Sequence, residues 1–95
     1  DIVVAGTSFC KKIDELKDEL PPETVLKMIR DPENLHDELA IGIYFKDIRI
    51  GWVPRELNEV ISRLMDAGKA FFCRITKTRL INSWLKINAK IYMVE

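Results

Sequence analysis

The sequence predicts a small α+β domain: a curved, barrel-like, mostly antiparallel sheet of five to six strands, with one firm helix over 55–67 and a short one over 11–20. Three observations carry this. The stretch from Ile41 to Val53 is apolar and β-rich and is broken mainly by Lys46-Asp47, which reads as two strands with a tight reversal. Leu57, Val60, Ile61, Leu64 and Met65 recur at helical spacing and give way to Gly68, a natural residue just past a helix end. From Trp84 to Val94 the pattern alternates, with Leu85, Ile87, Ala89, Ile91 and Met93 on one side and Lys86, Asn88 and Lys90 on the other.

In chain order, Ile2 to Phe9 reads as a strand, β-branched at Val3 and Val4, with Gly6 marking a bulge or a close backbone approach. Residues 11–20 set Ile13, Leu16 and Leu20 at helical spacing among charges, and Pro21-Pro22 ends that helix, whose apolar stripe is expected to lie as a lid on the core. Glu23 to Ile29 is the second strand. Asp31-Pro32 then opens a polar loop. Proline fixes φ and pushes its predecessor out of the helical region, and Asn34 and Asp37 can bond their own backbone two residues on. Pro54 stops the hairpin and suits the first turn of a helix. The five apolar residues of helix 55–67 are expected in the core. Ala70 to Ile75 is a strand, Lys77 to Ser83 a polar and basic reversal, and Trp84 to Val94 the last strand.

The 95 residues suffice for one domain, 1–95, with a single core and little apolar surface to spare. The longest uncharged apolar run, Leu39 to Phe45, is far short of the ~18 residues of a membrane span. The apolar piece Ile2 to Ala5 is too short for a signal peptide. Cys10 and Cys73 do not make a disulfide framework, so reduced thiols in an intracellular, cytoplasmic protein are expected. The first residue is not Met, as expected of a piece of a longer chain. Fifteen bases cancel fifteen acids, which argues against a protein that coats nucleic acid, yet the charges are unevenly placed. Residues 1–47 hold eleven acids and six bases (−5), residues 48–95 four acids and nine bases (+5), enough for a positive face if the fold gathers them.

Catalytic chemistry finds little material. There is one histidine, and no Cys or His pair stands at metal-ligand spacing, so neither metal nor cofactor is expected. Gly6-Thr7-Ser8-Phe9-Cys10 lacks the second glycine of a nucleophile elbow. Cys73 alternates with core residues and reads as an inert buried thiol, while Asp14-Glu15 and Asp18-Glu19 lie on a solvated helix face. A chain that is not an enzyme is the expectation.

The loop Asp31-Pro32-Glu33-Asn34-Leu35-His36-Asp37, the following Ala40-Ile41, and Gly51-Trp52-Val53-Pro54-Arg55-Glu56 after the hairpin, with Val4-Ala5-Gly6 and Phe9 before them, resemble the HIRAN domain. The resemblance implies an OB/SH3-like curved sheet in a non-catalytic module that binds single-stranded DNA, attached to or associated with a DNA-processing enzyme such as a helicase or nuclease. In DNA-binding members a pocket between the first strand, the Asp-Pro-x-Asn loop and the residue after the hairpin's glycine takes a free 3′ end. Rings sandwich the terminal bases and an aspartate recognises the hydroxyl. Carried over by position, Asp37 is that aspartate, Asn34 the loop asparagine, Phe9 the first-strand ring and Trp52 the residue after the glycine, while Trp84 matches a further ring more loosely. Three positions depart: His36 stands for a tyrosine, Ser8 for a basic residue and Cys10 for a second ring, which weakens the expected affinity while His36 and Trp52 restore stacking surface. Arg30 and Arg55 complete the expected DNA-binding set, Arg55 because a cation at a helix start opposes the dipole and calls for another task.

Each of these residues also has an architectural reading. Asp37 and Asn34 suit a loop held by side-chain-to-backbone bonds, Phe9 and Trp84 suit a core, and Arg30 suits an ion pair with a neighbouring acid of the acidic N-terminal half. If those readings hold throughout, a protein-interaction or regulatory domain that keeps the fold without DNA binding is the alternative.

Overall fold

The computed structural model describes residues 1–94. Six strands, β1 (Ile2–Val3), β2 (Val25–Arg30), β3 (Ile41–Phe45), β4 (Ile48–Trp52), β5 (Phe71–Ile81) and β6 (Trp84–Met93), form one antiparallel sheet in the order β1-β6-β5-β2-β3-β4. The sheet curls until its two edges touch. Ala5, just beyond β1, bridges Trp52 at the end of β4, with Ala5 N donating to Trp52 O at 2.9 Å and Trp52 N donating to Ala5 O at 2.8 Å. At that seam a Cβ on Gly51 would lie 2.5 Å from the Ala5 carbonyl oxygen, so the closure requires glycine. The expected barrel-like α+β fold is the fold observed.

Alternation fills the concave side. Leu26, Ile41, Ile43, Ile50, Ile75 and Ile87 are fully buried there. Helix α1 (Ile13–Leu16), continued by a 3-10 turn over Lys17–Glu19, is shorter than the 11–20 expected, but Ile13, Leu16 and Leu20 do close over the core. The β3–β4 turn is Lys46-Asp47, with Lys46 at φ 55°.

Three local expectations are corrected. The first strand does not reach Phe9: Gly6 at φ 73° takes the chain into a 3-10 turn over Thr7–Phe9. Thr7 Oγ1 pins that turn by donating to Leu85 O at 2.8 Å. Residues 77–83 are not a broad reversal either. β5 continues to Ile81, because Lys77 and Arg79 point to solvent while the backbone keeps pairing with β6, and the turn is Asn82-Ser83 alone, with Asn82 in the left-handed region at φ 56°.

Helix α2 (Arg55–Asp66) lies where the periodicity put it and stops at Gly68, φ 101°, but its inward face differs. Asn58 and Ser62 are buried and Ile61 and Met65 pack against the core, whereas Leu57, Val60 and Leu64 face solvent. The helix is rotated by one residue because Asn58 has a buried task, described below, and because small Ser62 closes its own hydroxyl onto Glu59 O at 2.9 Å.

Candidate nucleic-acid interface

The loop between β2 and β3 is built by its own side chains. Asn34 Oδ1 accepts from the backbone N–H groups of His36 (2.8 Å) and Asp37 (3.1 Å), and its amide nitrogen donates to Asp31 Oδ2 at 3.2 Å. Asp37 Oδ1 accepts from Leu39 N at 2.9 Å. The side-chain-to-backbone bonds that the sequence suggests for Asn34 and Asp37 therefore hold this loop. Asp37 does more than cap it. Its other oxygen accepts from Asn58 Nδ2 of α2 at 2.8 Å, and Arg55 Nε stands 3.7 Å away. Arg55 also donates to His36 O at 3.2 Å, so a loop and a helix start are tied around one carboxylate.

Arg30 secures the loop from behind. Its guanidinium donates to Ala40 O (2.7 Å) and Glu38 O (3.1 Å) and pairs with Asp66 at 2.9 Å. Arg30 is engaged in an ion pair, but with Asp66 of α2 rather than with a neighbouring acid of the N-terminal half, and it stands outside the cleft that the loop borders.

That cleft, about 470 Å³, gathers residues far apart in sequence. Phe9 comes from the 3-10 turn, Asn34, His36 and Asp37 from the loop, Trp52 from β4 and Arg55 from α2. The Phe9 ring is 84% exposed, so it is no part of the core. Trp52 is half-buried: a Cβ on Gly6 would lie 2.9 Å from its ring, and the Arg49 guanidinium sits 4.3 Å from its centroid. Six of the eight residues singled out from the sequence thus line one cleft. Trp84 lies instead in an adjoining groove of about 650 Å³ with Pro54 and Leu57, which shares Ala5, Gly6 and Arg55 with the first.

Arg49 and Asn58 line the cleft without having been singled out as site residues. The signal for Asn58 was present, as a poor helix former one position from an apolar stripe. The signal for Arg49 lies in the register: it stands opposite Tyr44 and shares the outward face with Trp52.

The electrostatics favour an ionised acid in the cleft. The Asn58 amide, the Leu39 N–H and then the Arg55 charge hold the Asp37 carboxyl below its ordinary value of 3.8, despite some desolvation. Hydrogen bonds from Arg30 lower Asp66 in the same way. Depressed folded-state values contribute stability that is present above the unfolded value and lost as pH falls through the folded one. The urea midpoint is therefore expected to stay level from neutral pH to about pH 5 and to fall in acid, and to fall less in Asp37→Asn and Asp66→Asn than in the parent. Identical acid limbs in all three proteins would refute this. Burial pushes the Cys73 thiol up to about 12, so it is no nucleophile at neutral pH. Among the described residues no cluster of three or more His, Cys, Asp or Glu is placed to hold a metal, and no helix is long and apolar enough to cross a membrane.

The HIRAN domain family model matches residues 1–95. The chain belongs to the HIRAN domain family. Two solved structures share its fold. A structural-genomics protein from Lactobacillus plantarum superposes with a TM-score of 0.83 at 19% identity, covering 99% of this chain and 91% of that one. The HIRAN domain of human HLTF superposes with a TM-score of 0.70 at 17% identity, covering 95% and 72%. No curated protein matches the sequence. HIRAN domains are known as DNA-binding modules, and at these identities the superpositions speak for the fold alone.

Proposed function

We infer that this HIRAN domain is a non-catalytic module that binds single-stranded DNA at a free 3′ end and so targets an attached or associated helicase or nuclease. The observation that carries the reading is the convergence of Phe9, His36, Asp37, Trp52 and Arg55 on one cleft from four separate segments. Phe9 and Trp52 offer rings to terminal bases, and since every base has a π-face this gives affinity without sequence preference, about 1–3 kcal/mol per base. Asp37 stays ionised, and its carboxylate oxygens keep lone pairs beyond those used by Leu39 and Asn58, so they can accept from a terminal hydroxyl. A terminal phosphate would bring like charge to the same spot. Arg55, already turned to His36 O and Asp37, offsets only part of that.

The test is a titration of labelled oligonucleotides with a free or a phosphorylated 3′ terminus. The free end is expected to bind about tenfold tighter or better, a difference of ~1.4 kcal/mol. Equal binding of both would reject end recognition, and no binding at low salt, where phosphate contacts are strongest, would reject nucleic acid altogether. In that event the solvent-facing Leu57, Val60 and Leu64 of α2 favour the second reading, a protein-interaction domain.

A further inference from the structure

We propose that the outward face of the sheet is a nucleic-acid track that continues the cleft and takes the nucleotides preceding the bound end; this rests on the reading of the cleft given above. Directly paired residues share a face, and the register lays one row across five strands: Tyr92 opposite Phe72, Phe72 opposite Lys27, Lys27 opposite Tyr44, and Tyr44 opposite Arg49. The neighbours Leu26, Ile43 and Cys73 are fully buried, so this row faces out. It ends at the cleft, where Arg49 lies over Trp52. Four strand spacings of ~4.8 Å make it about 19 Å long, enough for a few nucleotides beyond the cleft.

The row is shaped as a flat path. Gly42 leaves room for it: a Cβ there would lie 2.8 Å from the Tyr44 ring and 3.4 Å from the Arg49 stem, so both side chains lie across the sheet at this point. At the far end Phe72 and Tyr92 stack at 5.2 Å with 19° between their planes, and the Arg74 guanidinium stands 5.8 and 5.7 Å from the two ring centroids. Along the row a stacked ring pair, a cation, a ring and a cation follow one another, so rings and cations are interleaved as suits a strand of bases and phosphates.

The charge of the sheet is as one-sided as its shape. The six strands carry eight bases and none of the chain's fifteen acids. Arg74 stands directly opposite Lys90, and Arg79 opposite Lys86, pairings that work against the ladder unless an anion lies over them. Of these four, among the described residues, Arg74 alone has an acid within ion-pair distance, Glu23 at 3.8 Å, and both side chains are solvent-exposed. An acidic polypeptide would use the cations and leave the rings idle. A single strand uses both.

The experiment compares the parent with Lys27→Ser/Tyr92→Ser, two exposed positions away from the cleft. Both are titrated with free-ended DNA strands of about four and about twelve nucleotides. The parent is expected to gain about tenfold or more on lengthening, and the variant to bind the short strand as the parent does while losing most of that gain. Its salt slope on the long strand should fall by about 0.7 for the one phosphate contact removed. A parent that gains nothing with length, a variant that keeps the full gain, or polyglutamate displacing the long strand as readily as unlabelled DNA does would each overturn the track. A long strand that binds equally with or without a 3′ phosphate, yet still loses affinity in the variant, would sink the cleft reading and leave the track standing.

Discussion

Gly51→Ala is expected to destabilise the domain by about 3 kcal/mol, at the upper end of what overpacking costs, and to lower its melting temperature by roughly 12–24 °C. A Cβ at this position would lie 2.5 Å from both the Ala5 carbonyl oxygen and Val4 Cγ1. The first of these is backbone that cannot retreat freely, since Ala5 O accepts from Trp52 N at 2.8 Å and the reciprocal bond closes the sheet. The second belongs to a core residue that is 1% exposed. Relief therefore means separating the two sheet edges, and separation moves Gly6 and Trp52, which form one wall of the cleft. Gly68→Ala serves as the control. It meets nothing within 4 Å and carries only the cost of its positive φ, about 1–2 kcal/mol. Urea unfolding of the parent and both variants decides the matter, and a Gly51→Ala protein within about 1 kcal/mol of the parent would show that the seam is not tightly closed.

Which parts of this structure were legible follows from how local their causes are. The 31–37 loop, the Lys46-Asp47 turn and the ends of α2 are set by proline, Asx and glycine chemistry within a few residues, and each lies where the sequence puts it. The end of the first strand is set from afar. Gly6 reads equally as bulge or close approach, and it becomes a turn because Trp52, 46 positions on, packs against it. The extension of β5 through Lys77 and Arg79 is likewise decided by β6, since polar residues on one solvent-facing side resemble a loop until a partner strand is known. The face of α2 fails for a different reason. Leu57, Val60 and Leu64 extend the apolar stripe of Ile61 and Met65 better than Asn58 and Ser62 do, and the bond of Asn58 to the Asp37 carboxylate, with the small self-satisfied Ser62 beside it, makes the polar pair the buried one. Of the six site residues in the cleft, Asn34, His36 and Asp37 are aimed by a local loop and Phe9, Trp52 and Arg55 by elements that only the closed sheet brings together, while Arg30 pairs with Asp66 and Trp84 falls in the next groove.

Trp52→Ala is expected to reduce the affinity for single-stranded DNA about 10–100-fold, the worth of one base–ring stack of ~1–3 kcal/mol. The expectation turns on which ring in the cleft is held. Phe9 is 84% exposed and must be ordered by the strand it binds, so part of its stacking energy is spent on losing its own freedom. Trp52 is already oriented, with Gly6 against its pyrrole edge and the Arg49 guanidinium 4.3 Å over its face. A base can replace or cover that guanidinium, which then remains beside the phosphates. Removing the indole takes away the platform and the anchor of Arg49 together, so the loss should exceed that of Phe9→Ala, and Trp52→Phe should recover most of it. Because Trp52 is partly exposed at the end of β4, the variant should still fold, which a thermal melt reports independently. In a Trp84→Phe background Trp52 becomes the sole tryptophan, and its fluorescence should be quenched by oligonucleotide with the same midpoint that anisotropy gives. Full-strength binding by Trp52→Ala, or binding that leaves the Trp52 emission untouched, would place the strand elsewhere on the molecule.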